Sequence, residues 1–111
     1  MPFYLFQGRY TTASLKAMVD DPQDREAAAK KLIEAVGGTL HHLFFCFGDE
    51  DVVALIEAPD DGAMAACALA VGASGSMSGG ATTKLLTSAE AMKAMGAAKK
   101  AAASYTPASS G

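Results

Sequence analysis

The sequence has no tryptophan, only two cysteines and four prolines, and fewer basic than acidic side chains. Cys46 and Cys67 are too few for a disulfide framework and stand in neither a Cys-x-x-Cys nor a zinc-finger spacing, so two reduced thiols are expected. Nine Lys and Arg against twelve Asp and Glu leave a net charge of −3, with no basic field to hold a phosphate backbone; no nucleic-acid partner is expected. Long apolar runs are also missing. The longest nearly uncharged apolar run, around residues 63–73, falls short of the roughly 20 residues a membrane helix needs, so no membrane partner is expected either. The start, Met1-Pro2-Phe3-Tyr4, lacks a basic segment followed by an apolar stretch and a small-residue cleavage site, and a soluble, cytoplasmic protein is the expectation. What is present is 111 residues, half of them hydrophobic, which is the length and composition of one globular domain.

Residues 3–10, FYLFQGRY, are aromatic-rich and read as a strand apolar on both faces. Thr11 or Thr12 caps a short helix that Asp20-Asp21-Pro22 interrupts. A second helix follows, with Asp21 as its cap and Pro22 in its first turn; Ala29, Leu32, Ile33 and Val36 form one stripe, and Gly37-Gly38 ends it. Residues 39–47 and 51–58 read as two strands joined by a tight turn at 48–50, an antiparallel hairpin. Asp60 or Asp61 opens a helix with Met64, Cys67, Ala68 and Val71 on one side. Residues 72–81 read as a flexible lead-in to a strand at about 82–86, and Thr87-Ser88-Ala89-Glu90 has capping-box spacing for a terminal helix carrying Met92 and Met95 to about residue 103. The expectation is a single domain over 1–103 and a flexible tail over 104–111. The class is α+β: βαββαβ, a ferredoxin-like four-stranded antiparallel sheet with helices on one face and an extra C-terminal helix.

Helices on one face leave the other open. Phe3 and Leu5 alternate with Tyr4 and Phe6, and Leu43, Phe45 and Phe47 with Phe44 and Cys46, so both faces are apolar. A large exposed apolar patch marks an interaction site, and two copies packing sheet on sheet would cover it, with Phe45 in the contact. A homodimer or higher homo-oligomer is therefore expected.

Four blocks carry a resemblance: Gly37-Gly38 before the hairpin, the Gly48-Asp49-Glu50-Asp51 turn, VVALIEAPDD over 52–61, and TTKLLTSAEAMKAM over 82–95. Together they resemble the GYD-domain family of small bacterial proteins, from about Phe3 to Met95. The resemblance implies a ferredoxin-like subunit of the dimeric α/β-barrel type and no particular reaction. Gly48 and Asp51 match the name-giving turn, but its tyrosine is absent.

The candidate catalytic groups are His41, His42 and Glu57. Adjacent strand residues point to opposite faces, so His41 and His42 cannot chelate one metal. His42 and Cys46 share a face but lie roughly 13 Å apart along a strand, too far for one zinc at about 2.0–2.3 Å. A three-residue turn places His41 opposite Glu57, and a two-residue turn places His42 there. Either pair is a cross-strand contact on an exposed face or an acid–base pair in a closed cavity. Arg9, Tyr10 and Lys84 are candidate ligands for an anion at the mouth of the sheet, against the alternative of solvated strand ends. Asp49, Glu50 and Asp51 lack calcium-loop spacing and read as a solvated turn. The glycines of 72–80 lead into a strand and lack the Gly-Lys-Ser/Thr ending of a phosphate loop, so no nucleotide is expected; with no metal-ligand spacing either, no metal or other cofactor is expected. Cys46, Cys67 and the methionines read as packing residues. The leading expectation is a homo-oligomer that binds an apolar or weakly anionic metabolite in a sheet-walled cavity. The rivals are a cofactor-independent monooxygenase- or isomerase-like enzyme using a His–Glu base, and a purely structural assembly protein.

Overall fold

The computed structural model describes residues 1–110. It contains β1 (Phe3–Tyr10), α1 (Thr12–Asp20), α2 (Arg25–Ala35), β2 (Thr39–Phe45), β3 (Val52–Glu57), α3 (Asp61–Ala73), β4 (Met77–Leu85) and α4 (Ser88–Ala101), followed by a 3-10 turn at Ala102–Ser104 and another at Ala108–Ser110. Gly111, the end of the tail expected over 104–111, lies outside the described residues. The four strands form one antiparallel sheet in the order β2–β3–β1–β4, so the class is α+β.

Alternation along β1 and β3 decides which face is which. Tyr4, Tyr10, Val52, Ala54 and Ile56 are buried and face α2 and α3. Phe3, Leu5, Val53 and Leu55 point the other way and remain half-buried with nothing packed over them. The core joins Tyr4, Ala54 and Ile56 of the sheet to Ile33 of α2 and to Met64 and Cys67 of α3. α2 lies on β2, and α3 lies on β4.

Helix ends follow their caps. Thr11 accepts from the Ser14 N–H to start α1, and Asp60 accepts from the Ala63 N–H to start α3. The cap of α2 is Asp24, bonded to the Ala27 N–H at 3.1 Å, and not Asp21; the Asp21 N–H still serves α1, donating to the Ala17 carbonyl, so Pro22 falls in the link. Gly37, at φ +83°, and Gly38 close α2 through bonds to the Glu34 and Ile33 carbonyls. A side chain at Gly38 would come within 2.5 Å of the Glu57 carbonyl, so glycine lets β2 start close beside β3.

Further expectations need correction. β4 begins at Met77, not near residue 82: pairing to β1 up to Tyr10↔Met77, extended by the Thr11 N–H to the Ser76 carbonyl, draws a glycine-rich stretch of low strand propensity into the sheet. The β2–β3 link spans Cys46 to Asp51 and is no tight turn, because Phe45 already pairs with Val52. Cys46 and Phe47 therefore lie in an exposed connection, and Phe45 stacks on Tyr10 at the helix-side end of the sheet, away from the face where a sheet-to-sheet contact would place it. Met92 and Met95 belong to no core, being 69% and 66% exposed.

Ile33 ties α2 to the sheet at 4% exposure. Ile33→Ala is expected to cost about 2–5 kcal/mol, read as a lower urea midpoint at unchanged m-value. A loss below about 1 kcal/mol would mean that α2 is not anchored there.

Candidate functional site

A cavity of ≈ 290 Å³ lies on the helix side of the sheet, between α2 and α3. Its floor is Phe6, Val52, Ala54 and Ile56. Leu32 and Ala29 of α2 face Cys67, Ala68 and Val71 of α3 across it. The residues facing each other across it are mostly small and leave the space unfilled, and Ala28 and Ala70, both exposed, form part of the rim. Arg25 is the one charged residue of the described lining. It is the first residue of α2, half-buried, and its guanidinium donates to the Gln23 carboxamide oxygen at 2.8 Å. Burial pushes the Cys67 thiol up, so at neutral pH it is a small apolar wall residue and not a nucleophile.

Of the expected site residues only Tyr10 lines this cavity. His41 and Glu57 do meet, Nε2 to Oε1 at 2.6 Å, on the open face. Neither simple turn produces the pair. The ladder slips between Leu40 and His42, Thr39 stands opposite Glu57, and the bulge turns His41 toward the carboxylate beside the Phe3 ring at 5.7 Å. His42 is exposed and stacks on Phe44 at 5.7 Å. Among the described residues, no group of three or more His, Cys, Asp and Glu is placed to hold a metal ion.

Arg9, Tyr10 and Lys84 do not converge. Lys84 pairs with Tyr4 and Arg9 with Gly79, five positions and roughly 17 Å apart along β1, and on opposite faces. Arg9 donates instead to the Asp49 carbonyl, while Asp51 accepts the Tyr10 N–H at 2.9 Å and donates its own N–H to Gly8. The acidic turn is thus fastened to β1 by two of its residues and is not simply solvated. Lys84 pairs with Asp61 at 2.9 Å, and the same carboxylate oxygen accepts the Tyr4 hydroxyl at 2.5 Å. Sequence reasoning missed this three-residue cluster, as well as the cavity and Arg25. Fixing the parity of β1 would have placed Tyr4 and Lys84 on one face, but no sequence pattern sets the distance between two helices.

A family model described as GYD domain matches residues 4–95. No curated protein matches the chain. The crystal structure of MtbAldR is similar in fold, with TM-score 0.53 at 10% identity over 78% of this chain and 52% of that one, so the chain spans about half the length of that protein. No described helix is long and apolar enough to cross a membrane.

The hydrogen bond to Asp61, then burial, raises Tyr4 from the ordinary 10.0 to about 12. The same Tyr4 bond, then Lys84, holds Asp61 below its usual range. A raised tyrosine contributes stability that is whole below pH 10 and lost as pH climbs toward 12. The depressed Asp61 contributes stability present above the ordinary carboxylate range and lost as acid protonates it. Tyrosinate absorbance is expected to show one of the three tyrosines titrating near 12 and, in Asp61→Asn, moving back toward 10. A Tyr4 titration unchanged by Asp61→Asn would mean the bond does not form in solution.

Proposed function

The chain belongs to the GYD-domain family, and from that premise we propose that it is a homodimeric module binding a small apolar or weakly anionic metabolite between its sheet and α2 and α3. The observation that carries this reading is the ≈ 290 Å³ cavity, walled by apolar side chains and holding one charge, Arg25. Its volume lies at the lower end of the roughly 300–1,000 Å³ of small-molecule pockets. An apolar body with one anionic end matches that lining, since a guanidinium at a rim orients a carboxylate or sulfonate by paired hydrogen bonds.

The assembly part of the reading rests on the sheet. The order β2–β3–β1–β4 suits a ferredoxin-like subunit, and the open face carries Phe3, Leu5, Val53, Leu55 and Phe44 with no covering layer. A second copy packed sheet on sheet would cover them, as in a dimeric α/β barrel. A second reading, acid–base chemistry, is favoured by the His41–Glu57 pair, which such a dimer would enclose. A purely structural assembly protein has the cavity against it.

The test uses two fluorescent probes, anionic 1-anilinonaphthalene-8-sulfonate and uncharged N-phenyl-1-naphthylamine. Ala68→Phe, which fills the gap, is expected to weaken both about tenfold or more, and Arg25→Gln to weaken only the anionic probe. Unchanged affinity in a folded Ala68→Phe variant sinks the cavity reading. Leu55→Asp is expected to convert the dimer to monomer while leaving probe binding intact, whereas loss of turnover in His41→Ala with full probe binding would favour the enzyme reading.

A further inference from the structure

α4 leaves the body. Among the described residues only the 3-10 turn after it packs substantially against it, and none of its own residues is buried. The chain is 59 Å in its longest dimension with a radius of gyration of 18.1 Å, against about 13 Å for a compact chain of this length. Its accessible surface is 7430 Å². A compact monomer of 11.3 kDa would expose about 5,700 Å². The surplus, roughly 1,700 Å², is about twice the 800 Å² that each partner contributes to a standard stable interface.

The surplus has a pattern. The helix is well begun: Thr87 accepts the Glu90 N–H at 3.1 Å and Glu90 accepts the Thr87 N–H at 3.0 Å. Fourteen residues are nevertheless marginal as a helix alone in water. Ala91, Met92, Met95 and Ala98 lie along one side at i, i+1, i+4 and i+7, and exposed Leu86 links this stripe to Leu85 on the open sheet face. Charge is segregated as well. Residues 1–87 hold six basic and eleven acidic side chains; residues 88–111 hold Lys93, Lys99 and Lys100 against Glu90. The arm is positive and the body negative, so arm on body attracts while arm on arm or body on body does not.

We propose that α4 is an exchanged arm. Its Ala91–Met92–Met95–Ala98 stripe packs on the acidic body of a second copy of this chain, and that copy's arm packs back in the same way. The inference rests on the homodimer reading above and adds a contact to it. A two-fold pair repeats each contact, so one stripe of modest area counts twice. A lipid surface suits the helix less well, because residues 88–101 hold no aromatic side chain and only three lysines.

The test compares the wild-type chain with Met92→Asp/Met95→Asp by sedimentation. Both methionines are about two-thirds exposed in the single chain, so the body is expected to fold normally by circular dichroism. The dissociation constant of the dimer is expected to rise about tenfold or more. In an equal mixture of heavy- and light-isotope chains, carbodiimide is expected to join Lys93, Lys99 or Lys100 to acids of residues 1–87 between unlike chains. An unchanged dissociation constant with only same-isotope cross-links overturns the arm and leaves the sheet-to-sheet dimer standing. A wild-type monomer overturns both. Retention on phosphatidylserine vesicles without mixed cross-links overturns the arm in favour of a membrane contact.

Discussion

The central strand carries the constraint on which the rest depends. β1 is hydrogen-bonded on both edges, to β3 and β4, and has apolar side chains on both faces, so whatever it does to one layer it does to the other. With a period of two, a slip of one residue would exchange Tyr4 and Phe6 for Phe3 and Leu5 on the helix side. The native register puts the tyrosines under the helices. A phenol suits that side because its ring joins the core while its hydroxyl reaches Asp61 at the start of α3. Phe3 and Leu5 have no polar end to satisfy and are left to the open face. One strand thus holds β3, β4 and α3 in place and creates the surface that the chain does not cover by itself.

Much of this was legible in the residues. The element order, the Thr87–Glu90 capping box, the Asp60 cap, the Gly37-Gly38 stop and the family resemblance all lie in local sequence, where a few residues at fixed spacing decide the outcome; the α2 cap does not, since Asp21 and Asp24 both fit and the structure uses Asp24. The parts that were not legible are set by distant partners. Met77 to Ala81 have little intrinsic preference for a strand and are strand because β1 lies alongside. The Leu40–His42 slip is equally silent: it satisfies pairing with β3 while bringing His41, by a route no turn length would suggest, to Glu57. The Met92–Met95 stripe is legible as one side of a helix but not as a core stripe, because both side chains are exposed in the folded chain and helical spacing does not say what, if anything, packs on it.

Arg9 and Lys84 do not meet at the mouth of the sheet for the same reason. In the sequence each reads as an anion ligand or a solvated strand end, because its partner in the fold lies far along the chain. In the folded chain each is engaged, Arg9 with the Asp49 carbonyl and Lys84 with Asp61, and each fastens a neighbouring element to β1 or β4. The charge facing an apolar cavity is Arg25, a residue with no apparent distinction in a polar helix start. Position, not residue type, gives it that place.

The gap between α2 and α3 follows from how each helix is tied down. α2 is held at one end by Gly38 against the Glu57 carbonyl and at its start by Glu26, which accepts the Leu43 N–H of the edge strand at 3.2 Å. α3 is held over the opposite edge by the Tyr4–Asp61–Lys84 cluster. Two helices pinned to opposite edges of a four-stranded sheet cannot slide together, and the alanines between them are too small to bridge the space. Sealed and empty, ≈ 290 Å³ of apolar void would cost on the order of 7 kcal/mol, at about 24 cal/mol per Å³. That is comparable to the whole stability of about 5–15 kcal/mol of a typical domain. The gap is not sealed, since exposed Ala28 and Ala70 stand at its rim, so the cost falls as solvent enters and falls further when an apolar molecule replaces that solvent. The fasteners that give the fold its register therefore also keep the gap between α2 and α3 open.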